Sequence, residues 1–488
     1  MTPSAFGQSA NGAQRPRWPL YLALGIALAV WCAVDVQRRG RIDPDRPSVH
    51  RTDFTCYTEA GGAFFDGRDP YAVTNARGWG YCYPPLFALL VSPLASLDPQ
   101  WQVSIWFIIS VAVVWGLYRE CAFLFAAYAP LAAREAGQSK IPRAFAVAAV
   151  AAGTLPVLNC LQRGQVDVLK LYLLLVGVRL CLTGPAWHSW FVGGIALAAA
   201  IVLKITPLLP VGFFMLILLA RFALRRADDP AAGKRFATAF GGLACGAVAL
   251  LLVVPGAIVG WNANLSYLER FYQDKLVKAN DYQEADKTGN QRTLRNQSFS
   301  NAVIRLGDFI GYEFLGGPDD RLIDSDWRDA PRMIMDEPGV VYVLMAARGT
   351  AVMLLVAAGL LCVKRGDVLG QVATIGMACA AALVVSPISR GSYYAELVPG
   401  VLLMPLWCWA NRMPGAARAL CWAPALLVIV YYLALPIAGR VGLLGIGTAT
   451  WYATGLSLLV VGRRAVRPIE PLIPAPIALR RRERSVPA

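Results

Sequence analysis

FATAFGGLACGAVALLLVVPGAIVG, residues 236–260, decides the class of this protein because it carries no charged residue along its whole length. A helix needs about 20 consecutive apolar residues to cross the hydrocarbon core of a bilayer, and this run is long enough. Similar runs recur along the 488-residue chain, which is 57% hydrophobic. The sequence therefore predicts an all-α polytopic membrane protein.

The apolar runs predict about 12 transmembrane helices in a single domain, residues 18–461. The predicted spans are 18–36, 101–118, 144–158, 166–183, 189–203, 207–220, 236–260, 340–362, 368–386, 394–410, 419–436 and 441–461. No A-x-A-like cleavage site ends the first run, so we expect it to be retained. Residues 1–17 then form a cytoplasmic tail, and the Pro-rich, basic residues 462–488 form a disordered cytoplasmic tail attracted to anionic headgroups.

The net charge of +15 does not indicate a nucleic-acid partner, because the basic residues punctuate the spans and form no stripe with interleaved aromatics. They cluster at 221–235, at 364–365 and in the C-terminal tail. The positive-inside rule places these segments in the cytoplasm. The polar regions 37–100 and 262–339 are then loops on the outer face.

Residues 83–99 lie inside the first outer loop and are apolar, but the run is short and contains Pro93. We interpret it as an interfacial or re-entrant helix. If it crosses the bilayer instead, the later spans reverse relative to the N-terminus. The arginines at 38, 39 and 41 fit an outer loop poorly under the positive-inside rule.

Aromatic residues recur at helix-like spacing in TDFTCYTEAGGAFF, residues 52–65, which predicts a short helix lying in the membrane interface. Asp53 stands at its start, where a carboxylate either caps the helix or acts as a general base. The residues Tyr57, Tyr71 and Tyr83 are candidates to bind a substrate. Alternatively, they belong to the aromatic belt found at membrane interfaces.

Eleven cysteines are scattered mostly inside the apolar runs, where a thiol behaves as a small hydrophobic group. Cys56 and Cys82 differ because both lie in the first outer loop. In an oxidising compartment these two residues could form a disulfide.

Charged and polar residues also occur at or inside the spans, in LQRGQVD (161–167) and LKITP (203–207). An ionisable group there is costly unless it is paired or functional. Arg163 and Lys204 either snorkel toward the interface or bind a phosphate. Gln165 lies beside them and is a candidate to bind substrate. Arg305 and Arg390 lie on the same predicted face and would join a phosphate site.

Other chemistries find little support. The chain has no Walker A loop, no dinucleotide-binding fingerprint and no H-E-x-x-H motif. With only His50 and His188, the sequence predicts no histidine metal site. The acidic runs at 43–45 and 324–329 are typical of solvated loops, although either could hold a divalent ion.

Several short motifs, taken in order, resemble those of integral-membrane glycosyltransferases of the C type (GT-C). The chain is similar specifically to glycosyltransferase family 87, the bacterial polyprenyl-phosphate-mannose-dependent mannosyltransferases and their arabinosyl relatives. The motifs are DFTCY (53–57), DGRDPYAV (66–73), YCYPPLFALLVSPLASL (81–97), RGQVDVL (163–169), ALAAAIVLKITPLL (196–209), NQSFSNAVIRL (296–306) and VVSPISRGSYY (384–394).

The resemblance implies a multi-pass enzyme of the bacterial inner membrane whose active site faces away from the cytoplasm. It would move a hexose or pentose, mannose foremost, from a polyprenyl-phosphate donor to a lipid or glycan acceptor with inversion. Asp53 would be the catalytic base, Asn296 and Gln297 would contact substrate, and no metal or other cofactor is expected. The family often has paired histidines after S-P-x-S, where this chain has Arg390, Ser392, Tyr393 and Tyr394.

A polytopic transporter or flippase for lipids or sugars is the main alternative, because it would also use intramembrane charges. Such proteins are often built from inverted repeats, and none is evident in the sequence. A noncatalytic scaffold is a third interpretation, under which Asp53 would be dispensable.

Overall fold

The computed structural model describes residues 18–39, 52–74, 80–225, 227, 229–277, 296–304, 338–434, 438–439 and 442–462. Across these ranges the regular structure is helical, and β pairing is limited to two isolated bridges. The predicted tails, Arg305, both acidic runs (43–45 and 324–329) and most of the loop 262–339 lie outside the described residues.

Residues 299–304 and 438–439 are helical, and sixteen further α-helices are described in full. They are α1 (Trp18–Arg39), α2 (Phe54–Ala63), α3 (Pro85–Val91), α4 (Pro99–Ala136), α5 (Ala144–Arg163), α6 (Asp167–Thr183), α7 (Trp187–Leu203), α8 (Leu208–Arg225), α9 (Ala232–Val248), α10 (Val254–Val259), α11 (Trp261–Arg270), α12 (Pro338–Arg365), α13 (Val368–Val385), α14 (Val398–Ala410), α15 (Pro414–Leu433) and α16 (Leu443–Val461). A π-helical segment, Ala249–Val253, joins α9 to α10.

Among the described residues, eight helices are long and apolar enough to cross a membrane. They are Pro99–Ala136, Ala144–Arg163, Leu208–Arg225, Ala232–Val259, Tyr342–Arg365, Val368–Val385, Pro414–Leu433 and Leu443–Val461. The protein is therefore an all-helical membrane protein, as predicted, and the number of 12 spans stays a prediction.

The four remaining predicted spans coincide with α1, α6, α7 and α14. The helices α6 and α7 have 17 residues each, just below the usual length of a span. The expected span 394–410 begins later than predicted, because a 3₁₀ segment, Gly391–Leu397, precedes α14. That segment contains the buried Glu396, so this end of the helix is polar.

The first polar loop packs as a small helical layer on the bundle. The α2 and α3 helices approach closely at Gly61, where a Cβ atom would lie 2.6 Å from the Ala88 carbonyl oxygen. Helix α3 and the 3₁₀ turn Ser92–Leu94 together have ten residues, so they extend about 15 Å. The hydrocarbon core is about 30 Å thick, so this segment has about half the length of a straight crossing, and its interfacial position stays a prediction.

Helix α13 lies at the centre of the bundle, and 94% of its residues are buried. It packs against α8, α12, α14 and α16. These contacts form the main hydrophobic core, and a second core lies beneath α2 and α3.

Basic residues gather at one end of α8 and α13. Arg221 and Arg235 both contact the Asp229 carboxylate at 3.1 Å, and Arg221 also donates to Gln371 on α13. Arg225, at the end of α8, donates to the Lys364 carbonyl oxygen. The opposite ends of α8 and α13 lead to residues 204–207 and 386–390, so the two helices separate the basic end from a second polar region.

Candidate active site

Asp53 begins α2 without capping it. Its side chain makes no hydrogen bond to the first turn of the helix. The carboxylate instead accepts from Arg163, at 3.1 Å from Nε and 2.7 Å from Nη2, and from Gln165 Nε2. All three of these bonds end on Oδ2, so they fix the orientation of the carboxylate. Asp53 is also buried, with only 6% of its surface exposed.

A tight turn between α5 and α6 places the partners of Asp53. Gly164 ends α5 with φ of +66°, a left-handed conformation that glycine adopts at little cost. A Cβ atom on Gly164 would also lie 2.9 Å from the Cβ of Phe54. The backbone N–H of Asp53 donates to the Arg163 carbonyl oxygen at 2.9 Å, which binds the start of α2 to this turn.

Four buried charged residues form an ion-pair cluster next to this turn. Asp167 Oδ1 lies 2.8 Å from Lys170 Nζ and 2.7 Å from Lys204 Nζ. Lys170 Nζ also pairs with the Glu396 carboxylate and donates to Thr206 at 2.5 Å. Each lysine is therefore matched by a carboxylate, as burial of a charge requires.

Tyrosine rings surround the lysine of the L-K-x-x-P motif. Lys204 Nζ lies 3.6 Å from the centre of the Tyr393 ring and 5.6 Å from that of Tyr83, within the range of a cation–π contact. The hydroxyl groups of Tyr57 and Tyr83 lie 3.4 Å apart. Tyr71 donates to the Tyr83 carbonyl oxygen at 3.2 Å, so it supports the loop that carries Tyr83.

The buried phenols stay protonated. Burial raises the pKa of Tyr57, and the negative charges of Asp53 and Asp167 raise it further. Burial likewise raises the pKa of Tyr83, which also lies within the field of Asp167. Both raised pKa values keep the two phenols neutral at physiological pH, and their hydroxyl groups face each other.

Arg390 completes the positive side of the site. Its side chain is buried, and burial lowers its pKa. After burial, the groups that act most on the pKa of this guanidinium are Tyr393, Arg163 and Asp53, so Arg390 lies within electrostatic range of the Asp53–Arg163 ion pair. The charged groups of the described site then sum to one net positive charge. The four cations are Arg163, Arg390, Lys170 and Lys204, and the three carboxylates are Asp53, Asp167 and Glu396.

The segment that carries Arg390 is held by the N-Q-S motif. Asn296 Oδ1 accepts from the backbone N–H groups of Ser298 and Ser389, and the backbone of Gln297 donates to the Ser389 carbonyl oxygen at 2.6 Å. Tyr394 donates to the Gln297 carbonyl oxygen at 2.6 Å. Asn296 and Gln297 are fully buried here, so their evident contribution is to position residues 386–390.

The structure thus gathers Asp53, Arg163, Gln165, Lys204, Arg390, Tyr57 and Tyr83 in one region. Arg305 lies outside the described residues. Cys82 is exposed and Cys56 is buried in α2, and the structure contains no disulfide between these two residues. The described residues also contain no group of three or more His, Cys, Asp or Glu residues able to hold a metal ion.

Sequence reasoning assigned no role to Asp167, Lys170, Glu396 or Tyr393. A signal was available for two of them, because Asp167 and Lys170 are three residues apart and so share one face of a helix. Lys170 is also the one charged residue between Val168 and Gly177, in an apolar helix where an ionisable group needs a reason.

The family model described as glycosyltransferase family 87 matches residues 81–387. The matched segment contains Arg163, Gln165 and Lys204, whereas Asp53 precedes it and Arg390 follows it. No curated protein and no solved structure matches the chain.

Proposed function

The chain belongs to glycosyltransferase family 87, and from this premise we propose that it transfers a sugar from a polyprenyl-phosphate donor to a lipid or glycan acceptor. Asp53 is the general base, and the reaction inverts the anomeric centre. The observation that carries this proposal is the single buried carboxylate of Asp53, oriented by Arg163 and Gln165 next to a site with net positive charge.

The acceptor step needs one base. Asp53 takes the proton of an acceptor hydroxyl while that oxygen attacks the anomeric carbon from the side opposite the phosphate. General-base catalysis by a positioned side chain contributes about 10²- to 10⁴-fold. The phosphate departs as an anion without being protonated, so no second carboxylic acid is required, unlike in glycoside hydrolysis.

The leaving phosphate needs cations. Arg390 adds positive charge within electrostatic range of the Asp53–Arg163 pair, and Lys204 lies in the same region. Arg163 stays with Asp53 and holds its carboxylate. Fixed cations that stabilise developing negative charge contribute strongly in a site shielded from water. Because side chains provide these charges, we propose that the reaction requires neither a metal ion nor another cofactor.

We also propose that the bundle is of the GT-C type and that the site faces away from the cytoplasm. The 18 residues of α8 extend about 27 Å, nearly the thickness of the hydrocarbon core. Its C-terminal end carries Arg221 and Arg225 and lies beside Arg235 of α9, a basic cluster that the positive-inside rule assigns to the cytoplasm. Its N-terminal end follows Lys204, so the site lies at the other membrane surface.

Product analysis tests this function. Purified protein in lipid nanodiscs is given polyprenyl-phosphate mannose and a membrane-lipid extract from bacteria, with and without EDTA. We expect a new mannosylated product and free polyprenyl phosphate, no effect of EDTA, and loss of product with Asp53→Asn. Wild-type turnover by that variant would refute the assigned base. In sealed vesicles, movement of intact donor between leaflets without product would indicate a transporter instead.

A further inference from the structure

Two buried acceptor atoms at the start of α6 have no hydrogen-bond partner within the described part of the chain. They are Oδ2 of Asp167 and Oε1 of Gln165. Asp167 is 1% exposed and Gln165 is 7% exposed, so solvent reaches neither side chain freely. A buried acceptor without a donor costs about 1–3 kcal/mol, and more when it is charged.

The other atoms of both side chains are used, which fixes the direction of the unpaired ones. Asp167 Oδ1 accepts from both Lys170 and Lys204, and Gln165 Nε2 donates to Asp53. The two acceptors therefore belong to the same turn that holds the proposed base. They are also near the tyrosine pair, because Lys204 Nζ lies 2.7 Å from Asp167 Oδ1 and 5.6 Å from the centre of the Tyr83 ring.

The charge of Asp167 selects the kind of group that can satisfy it. A phosphate oxygen carries no proton at neutral pH and is repelled by a carboxylate, so it cannot pair with Oδ2. A sugar hydroxyl can donate to a carboxylate oxygen and to an amide oxygen alike. The group that matches both acceptors is thus a polyol next to the phosphate, and not the phosphate itself.

We propose that Asp167 Oδ2 and Gln165 Oε1 accept hydrogen bonds from hydroxyl groups of the donor sugar and form a sugar subsite beside the cations that bind the phosphate. This inference rests on the proposed function and adds the residues that orient the transferred sugar. A subsite that hydrogen-bonds a hydroxyl rejects an analogue lacking it, because the acceptor is then left unpaired.

The experiment measures donor binding and transfer separately. The probes are polyprenyl-phosphate mannose and its 2-, 3-, 4- and 6-deoxy analogues, and the proteins are the wild type, Asp167→Asn and Gln165→Met. The control variant is Glu396→Gln, which removes a charge from the same ion-pair cluster through a residue outside the subsite. Each dissociation constant is measured in nanodiscs, and kcat/KM is measured wherever transfer occurs.

We expect one or two deoxy analogues to bind the wild type about 10- to 100-fold more weakly than the parent donor, as loss of a hydrogen bond to a charged group predicts. For those analogues Asp167→Asn or Gln165→Met should cost nothing further, since the two changes remove one interaction. Glu396→Gln should affect all five donors equally. If Asp167→Asn does not fold, Gln165→Met still provides the test.

Equal losses for all five donors in both subsite variants would overturn the proposal, because the two residues would then act only on the fold. A wild type that binds no donor would overturn the subsite and the proposed donor together. A wild type that shows the expected hydroxyl dependence in binding but forms no product would support the subsite and refute transfer. The two hypotheses are therefore distinguishable.

Discussion

Asp53 and Arg163 are joined through both backbone and side chain. The Asp53 N–H donates to the Arg163 carbonyl oxygen at 2.9 Å, and the guanidinium donates to Asp53 Oδ2 from Nε at 3.1 Å and from Nη2 at 2.7 Å. A two-point contact of this kind fixes the plane of a carboxylate as well as its position. Arg163 therefore acts on the proposed base more directly than on the donor.

Arg163→Lys should lower kcat by about 10- to 100-fold, because lysine keeps the charge but cannot donate from a planar fork and loses a charged hydrogen bond. KM for the donor should change little. The rates are measured with saturating polyprenyl-phosphate mannose. Combining this change with Asp53→Asn should cost no more than Asp53→Asn alone, since the two residues act as a unit. A raised KM with normal kcat would instead assign Arg163 to phosphate binding.

Gly164→Ala should destabilise the protein and reduce transfer. The left-handed conformation costs an L-residue about 1–2 kcal/mol, and the new methyl group would lie 2.9 Å from the Cβ of Phe54. The melting temperature in detergent is the measurement. Gly241→Ala is the matched control, because Gly241 lies within α9 with nothing near its Cβ position, and alanine favours a helix. Equal melting temperatures for the two variants would contradict the packing argument.

The sequence was sufficient to predict the helical membrane class and most of the long helices, because an uncharged apolar run of about 20 residues is typical of a transmembrane helix. It also indicated Asp53, Arg163, Gln165 and Lys204, which the fold brings together. Each of these is a polar residue next to an apolar run, and the energetic cost of such a position makes the residue stand out in the sequence.

The pairing of charges could not be predicted. Lys170 meets Glu396 across 226 positions of sequence, and only the packing of α6 against the 3₁₀ segment Gly391–Leu397 brings them together. The same holds for Asn296, which resembles a substrate residue by motif but supports the backbone of Ser389 in the structure. Whether it also contacts substrate stays a prediction.

Glu396→Gln should lower stability strongly because it leaves Lys170 short of a counter-charge in a buried cluster. Removing one partner of a buried ion pair typically costs about 3–5 kcal/mol. The double variant Lys170→Met with Glu396→Gln should recover much of this loss, since Asp167 and Lys204 still pair with each other. Unfolding is followed by thermal shift in detergent.

A surface pair gives the matched control. Asp66 and Arg68 lie 2.9 Å apart, but their side chains are more than half exposed. Asp66→Asn should therefore shift the melting temperature hardly at all, as exposed pairs contribute about 0–1 kcal/mol. If Glu396→Gln behaved like Asp66→Asn, the four-residue cluster would not be a stabilising element.

Arg390→Gln should raise KM for the donor by about 10- to 100-fold, because it removes one of the positive charges of the site and a hydrogen bond to a charged group. Arg390→Lys should be intermediate, since lysine binds a phosphate as a point charge without the two-point geometry of arginine. Inhibition by free polyprenyl phosphate measures phosphate binding without the sugar, and it should weaken as KM rises.

Arg270→Gln is the control. Arg270 lies on α11 and pairs with Asp69 at the surface, so its replacement should leave both KM and inhibition unchanged. If Arg390→Gln left KM and inhibition unchanged as well, the positive charge of Arg390 would serve the fold around residues 386–390 and not the donor.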